Sequence, residues 1–191
     1  MTSDVGHPSL RTDAARNREA ILAAAARAFA TPGAEPSLRA VAREAGVGVG
    51  TLYRHFPTKE ALVEAVYQDQ ATRLVDGAGA LLATHPPLDA LRRWTDLFAQ
   101  WLTAKHGMGE TLLAMVGEGQ ISVSHSRTQL LAAIESMLAA GRAAGDVRDD
   151  VQADDVADAL LGILSVLGPA PDPARAARIL DWLVDGLRAT R

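Results

Sequence analysis

The 191-residue chain has no cysteine, so a disulfide frame, a thiolate-held zinc and a thiol nucleophile are all excluded. Lysine is nearly absent as well: Lys59 and Lys105 are the two in the chain, and the remaining positive charge rests on arginine. No apolar run is long enough to cross a bilayer. The segment Met1 to Thr12 lacks the apolar stretch of a signal peptide, so a cytoplasmic location is expected. Period-two alternation, the signature of a half-buried strand, is missing throughout.

Motifs of catalysis are missing too. There is no Glu-x-x-His pair of the kind that holds a di-iron centre in a helical bundle. Nor is there a Gly-x-Ser-x-Gly elbow, a P-loop or a dinucleotide-binding glycine pattern. Ser124, His125 and Ser126 are adjacent, but neighbouring positions on a helix do not face one another, so they form no relay. Five scattered histidines show no metal-ligand spacing. An enzyme is therefore a remote alternative, and neither a cofactor nor a metal is expected.

What is present is helical periodicity from end to end. A first helix is expected from about Asp13 to Thr31, with Ile21, Ala25, Ala28 and Phe29 on one face and Pro32-Gly33 as its stop. Ser37 can cap a short helix carrying Leu38, Val41 and Ala42, which Gly46 ends; a second short helix follows over Val49 to His55. Thr58 can cap a long helix with Glu60 in its first turn and Leu62, Val63, Val66 and Tyr67 inward. Beyond residue 80 come a helix opened by Pro86-Pro87, an interruption at Gly107 and Gly109, a segment over Glu110 to Val116, and a helix from about Ser124 to Ala144. A polar run at 145–150 reads as a loop. Two strongly apolar helices close the chain, one over Ala153 to Leu167 and one from Pro173 to Ala189.

The net charge of −4 is unevenly spread: residues 1–60 carry eight Lys or Arg against six Asp or Glu, and residues 61–191 carry eleven against seventeen. A mildly basic head on an acidic body suits a protein that meets a polyanion with one end only. Within that head, the two short helices joined at Gly46 have the spacing of a helix-turn-helix, in which the second helix enters the major groove and the first braces it. Val41, Ala42, Val47, Leu52 and Phe56 supply its small core, whereas Thr51, Tyr53, Arg54, His55 and Lys59 are of the types that reach phosphates and base edges.

Ala45-Gly46-Val47, Gly50-Thr51-Leu52-Tyr53, His55-Phe56 and Lys59-Glu60 closely resemble the TetR family in order and spacing. The resemblance covers about residues 13–70, including Arg16, Ile21, Leu22, Ala25 and Phe29 of the upstream helix. Leu91 to Met115 is in addition similar to the C-terminal domains called SbtR-like. What the resemblance implies is a DNA-facing set of Ser37, Arg39, Gly48, Val49, Thr51, Tyr53, Arg54, His55 and Lys59. Tyr53, His55 and Lys59 are expected on the phosphate backbone and Thr51 and Arg54 on bases, with Arg11 and Arg16 near the minor groove or a phosphate. The chain departs from the family at Gly48, where a Ser or Thr cap is usual, and at Val49, which offers only a methyl contact.

The resemblance also implies a ligand-sensing and dimerisation domain over 61–191 behind a DNA-binding domain over 13–60. Trp94, Phe98, Trp101, Met108, Leu112, Met115, Ile134 and Met137 are candidate pocket walls, since aromatic and thioether side chains make adaptable apolar surfaces; the competing reading is that such a stripe is simply core. His106, Glu118, His125 and Arg127 are candidates for polar recognition. The expected architecture is all-α with about nine helices, paired as a homodimer through 153–189 with Leu160, Leu164, Leu183 and Leu187 in the seam. The expected activity is that of a repressor released from an inverted-repeat operator by a small apolar or aromatic effector. The alternative is a constitutive or partner-controlled DNA-binding regulator without an inducer.

Overall fold

The computed structural model describes residues 10–31, 36–119, 123–168 and 172–189. Among them the chain forms eight helices: α1 (Leu10–Ala30), α2 (Leu38–Glu44), α3 (Val49–His55), α4 (Lys59–Leu82), α5 (Pro87–Gly117), α6 (Val123–Ala143), α7 (Ala153–Leu167) and α8 (Pro173–Gly186). The all-α expectation holds. The count is eight instead of about nine because the segments on either side of Gly109 join into one kinked helix, with Gly109 at φ 37°, ψ −118° in its middle. Gly109 is thus the interruption, since only a residue without Cβ adopts that conformation readily. The Pro32-Gly33 stop expected for α1 lies outside the described residues, and α1 starts at Leu10, earlier than Asp13.

Local chemistry explains the helix starts. Ser37 Oγ accepts from the Ala40 amide at 3.2 Å, Thr58 Oγ1 from the Ala61 amide at 3.1 Å, and Asp172 Oδ1 from the Ala174 amide at 3.1 Å. Each satisfies an amide that the helix leaves unpaired, an effect of about 1 kcal/mol per cap. Pro173 and Pro87 occupy first-turn positions where a missing N–H costs nothing.

One hydrophobic core runs through the molecule. Phe29, Val41, Leu52 and Phe56 gather α1 to α3, while Trp94, Phe98, Ile134, Met137 and Leu160 fill the bundle behind. α4 starts beside the first group and ends in the second; α5 packs against α4, α6 and also α1. The approach of α1 to α5 depends on Gly107, where a methyl group would sit 1.6 Å from the Phe29 carbonyl oxygen. Arg92 ties α5 to α8 by pairing with Asp181, and it also donates to Asp96 at 2.9 Å and Thr95 Oγ1 at 3.2 Å.

The C-terminal segment departs from expectation in two ways. Residues 145–150 are not a free loop, because Val147 pairs antiparallel with Arg188: the Arg148 amide donates to Leu187 O at 3.0 Å and the Ala189 amide to Asp146 O at 2.9 Å. Those bonds draw the chain out of the helix, which ends α8 at Gly186 and not at Ala189. Val147 itself is buried, with a methyl lodged in the notch left by Gly141. The second departure concerns the seam. Leu160, Leu164 and Leu187 are 0%, 5% and 8% exposed within the single chain, so they fill its own core and have no surface to offer a partner. Leu183 is half-buried; the outward apolar residues here are Val166 and Trp182, 84% and 70% exposed.

Candidate nucleic-acid interface

Four buried hydrophobic residues fix the angle at which α3 leaves the body. Leu52 is fully buried, Phe56 is 3% exposed, and Val41 and Ala42 of α2 face them. The turn between the helices is set by Gly46 at φ 68°, and the Val47 amide closes it by donating to Ala42 O at 3.0 Å. Two contacts brace the unit against α1: Arg18 lies over the Phe56 ring at 5.6 Å, and Arg27 Nε donates to Glu44 Oε1 at 2.9 Å.

With Leu52 and Phe56 turned inward, the opposite side of α3 faces solvent. Gly48, Val49, Tyr53 and Arg54 are exposed, Thr51 and His55 are half-buried, and Ser37 and Arg39 of α2 are exposed. Lys59 sits half-buried at the first turn of α4, one turn beyond the end of α3. Tyr53, at 45% exposure, does not pack into the domain, which leaves its hydroxyl free to reach outward. The nine residues expected to face DNA therefore all reach the surface, and the structure groups them along α3 and the two flanking helix starts. Arg16 is paired with Asp13 on α1, and the side chain of Arg11 lies outside the described residues.

Gly48 is the N-cap of α3 with no side-chain bond to the helix, and its carbonyl accepts from the Thr51 amide at 2.9 Å and the Leu52 amide at 3.1 Å. A Cβ at this position would meet nothing closer than Thr51 Oγ1 at 3.9 Å. Steric exclusion of a larger residue is thus not the reason for glycine here.

The candidate effector residues share one face of α5 and the facing side of α6. Trp94, Phe98, Ile134 and Met137 are at most 1% exposed, and Trp101, Met108, Leu112 and Met115 at most 7%. Trp94 packs at a tilt against Phe98 with centroids 5.7 Å apart, Phe98 against Trp101 at 5.4 Å, and Tyr67 of α4 against Trp101 at 6.4 Å. The Trp94 indole N–H donates to Leu74 O at 2.8 Å. Among the polar candidates Arg127 is occupied, bridging α6 to α7 through Asp154 at 2.9 Å and Asp158 at 3.2 Å. Sequence reasoning passed over Lys105, whose ammonium lies over the Trp101 ring at 5.2 Å and whose pKa is lowered by burial. Its signal was its place one turn after Trp101 on the apolar stripe.

Among the described residues no group of three or more His, Asp or Glu is arranged to hold a metal ion, and no helix is long and apolar enough to cross a membrane.

Comparisons with known proteins agree with this geometry. Residues 21–66 match the family model for bacterial regulatory proteins of the tetR family, and residues 86–189 match that for the C-terminal domain of SbtR-like transcriptional regulators. A helix-turn-helix-type transcriptional regulator of Staphylococcus aureus is 43% identical over 60 residues, which are 31% of this chain and 32% of the relative, so the chain aligns with about a third of the length of such curated relatives. Over nearly full length, a TetR transcriptional regulator from Streptomyces coelicolor is 46% identical with a TM-score of 0.84, covering 91% of this chain and 99% of that one. A gamma-butyrolactone receptor is 26% identical with a TM-score of 0.60, covering 93% of this chain and 91% of that one. The exposed reading face of α3, the two family matches and the near-complete structural likeness together place this chain in the TetR family of helix-turn-helix transcriptional regulators, with an SbtR-like C-terminal domain and no enzymatic role.

Proposed function

We propose that the chain acts as a homodimeric repressor that reads an inverted-repeat operator with α3 and leaves it when a small apolar or aromatic effector binds the C-terminal domain. The observation that carries the DNA half is the split of α3: Leu52 is sealed in the core while Val49 and Tyr53 are 37% and 45% exposed beside Arg54. Arg54 and Thr51 read bases; Tyr53, His55, Lys59, Ser37 and Arg39 hold phosphates. Val49 contributes a methyl contact, suited to thymine.

Outward apolar positions support the dimer. On α7, Ile163 and Val166, and on α8, Ile179, Trp182 and Leu183, recur at intervals of three and four and are half-buried or exposed in the single chain. Pairing these stripes across a two-fold axis makes an isologous four-helix contact, with Trp182 as its anchor. Of the four leucines expected in this seam, Leu183 is the one that remains a candidate.

For the sensing half, the stripe of Trp94, Phe98, Trp101, Met108, Leu112, Met115, Ile134 and Met137 is the proposed effector region. Support comes from the likeness to a gamma-butyrolactone receptor and from the route to the DNA head. Phe29 of α1, Lys59 of α4 and Gly109 at the kink of α5 line one cleft of about 350 Å³. An effector that alters the kink therefore acts directly on a phosphate-holding lysine and on the end of α1. It releases DNA only by the difference in its affinity for the two arrangements.

Selection of bound sequences from random duplexes tests the reading. An inverted repeat with half-sites one or two helical turns apart is expected. Salt-sensitive binding without a sequence preference would overturn it.

A further inference from the structure

Several glycines of the helices answer to something inside the chain. A Cβ at Gly77 would meet Leu97 Cδ1 at 2.8 Å, one at Gly107 the Phe29 carbonyl oxygen at 1.6 Å, and one at Gly141 the Val147 side chain at 2.4 Å. Gly50, inside α3, has no such reason. Its φ is not positive, and among the described residues a Cβ there would meet no atom within 4 Å beyond the adjoining backbone. Glycine is the poorest helix former after proline, and α3 has seven residues, so this choice weakens an element with little stability of its own.

The place of Gly50 on α3 supplies a reason from outside the chain. Leu52, two residues on, is sealed in the core, so Gly50 lies on the opposite side of the helix, where it is exposed. Arg54, four residues on, shares that outward face. The residues on either side of Gly50 are short. Val49 is exposed and Thr51 half-buried, and neither side chain reaches past its γ atoms.

Side chains that short touch a base edge only where the helix backbone itself comes close. A methyl group at position 50 would hold that backbone off by about 1.5 Å, the length of one carbon–carbon bond. A hydrogen bond of about 2.9 Å lengthened by that much is no longer one. Arg54 can make up such a distance by extending; Thr51 and Val49 cannot.

We infer that Gly50 is the point at which the backbone of α3 lies against the operator, and that its missing side chain sets the depth at which Thr51 and Val49 reach the bases. Gly50 is thus a positioning residue for base reading. The inference rests on the reading of α3 as the base-reading helix and adds to it a residue that has no side chain to read with.

The test compares Gly50→Ala with Gly79→Ala in the full-length chain. Gly79 is exposed on α4, a Cβ there would likewise meet nothing within 4 Å, and it lies outside the DNA-facing set. Both substitutions are expected to raise the thermal midpoint by about 1–4 °C, because alanine is the better helix former. Gly79→Ala should leave operator affinity unchanged. Gly50→Ala should lower it at least about tenfold, the worth of one good base contact, while binding to random duplex, which rests on charge, stays within about twofold. Thr51→Ala should cost the unmodified chain several-fold on the operator and the Gly50→Ala chain almost nothing, since there the hydroxyl already falls short. An equal loss on operator and random duplex, additive losses from Gly50→Ala and Thr51→Ala, or a lowered midpoint for Gly50→Ala, which would put the reason for glycine inside the fold, would each overturn the inference. If the unmodified chain prefers no sequence, the base-reading role of α3 fails and this inference with it; if it prefers one that Gly50→Ala binds equally well, the inference alone fails.

Discussion

Arg54 and Lys59 both bear positive charge near the end of α3, yet their surroundings assign them different work. Arg54 is exposed on the outward face of α3, where a guanidinium can reach the paired acceptors of guanine. Lys59 is half-buried at the start of α4, and on the proposed reading it meets a phosphate as a point charge. Arg54→Ala is expected to cost about 1–3 kcal/mol on the operator and to relax preference at one base position, whereas Lys59→Ala should weaken all sequences alike and reduce the salt slope by about one. Binding isotherms on operator and random duplex at several salt concentrations distinguish the two. Gly48→Ser makes the opposite kind of change. The position has room for a side chain, so a hydroxyl there should cap α3 and raise stability by a few tenths of a kcal/mol, read as a small rise in the denaturation midpoint. At this scale the sequence was an accurate guide to which residues of α3 reach the surface, because a seven-residue helix with Leu52 inward leaves few other directions for its polar side chains. It gave no sign that Trp101 keeps its N–H unpaired, since that depends on which carbonyls the neighbouring helices present.

At the scale of elements, α5 joins the proposed sensing bundle to the helices that carry the helix-turn-helix. Its close approach to α1 depends on Gly107, and its kink is at Gly109, two residues on. Gly107→Ala must push α5 away from the Phe29 carbonyl. The expected cost is about 1–3 kcal/mol of stability, together with a change in the DNA affinity of the intact head; thermal unfolding and operator binding measure both. An unchanged midpoint would mean that α1 and α5 are not held as closely as described. The interruption near Gly107 and Gly109 was legible in the sequence, but the division of labour between the two glycines was not: one permits contact with a different helix, and only the fold reveals that partner. The end of α8 was missed for a similar reason. Helical periodicity continues through Leu187, and what stops the helix is pairing with Val147, some forty residues away.

For the whole molecule, apolar stripes wide enough to serve two surfaces were visible in α7 and α8, but which residues served which surface was not. Leu160, Leu164 and Leu187 went to the protomer's own core, and Val166 and Trp182 were left outside. Trp182→Glu and Leu183→Arg are accordingly expected to yield a monomer that binds operator weakly, as read by sedimentation velocity and anisotropy; Trp182 should carry at least about 2 kcal/mol of the association. The acidic body matters at this scale as well. In the proposed dimer it confines DNA contact to the heads, so affinity is expected to depend on both heads being presented at one fixed separation. A series of duplexes in which the spacing between the two halves of the selected operator is varied tests this most directly. The expected result is tight binding at the selected spacing, collapse when the halves are moved apart by about five base pairs, half a helical turn, and no such collapse for the Leu183→Arg monomer. Affinity that is indifferent to spacing in the unmodified protein would contradict a dimer that reads two half-sites at once.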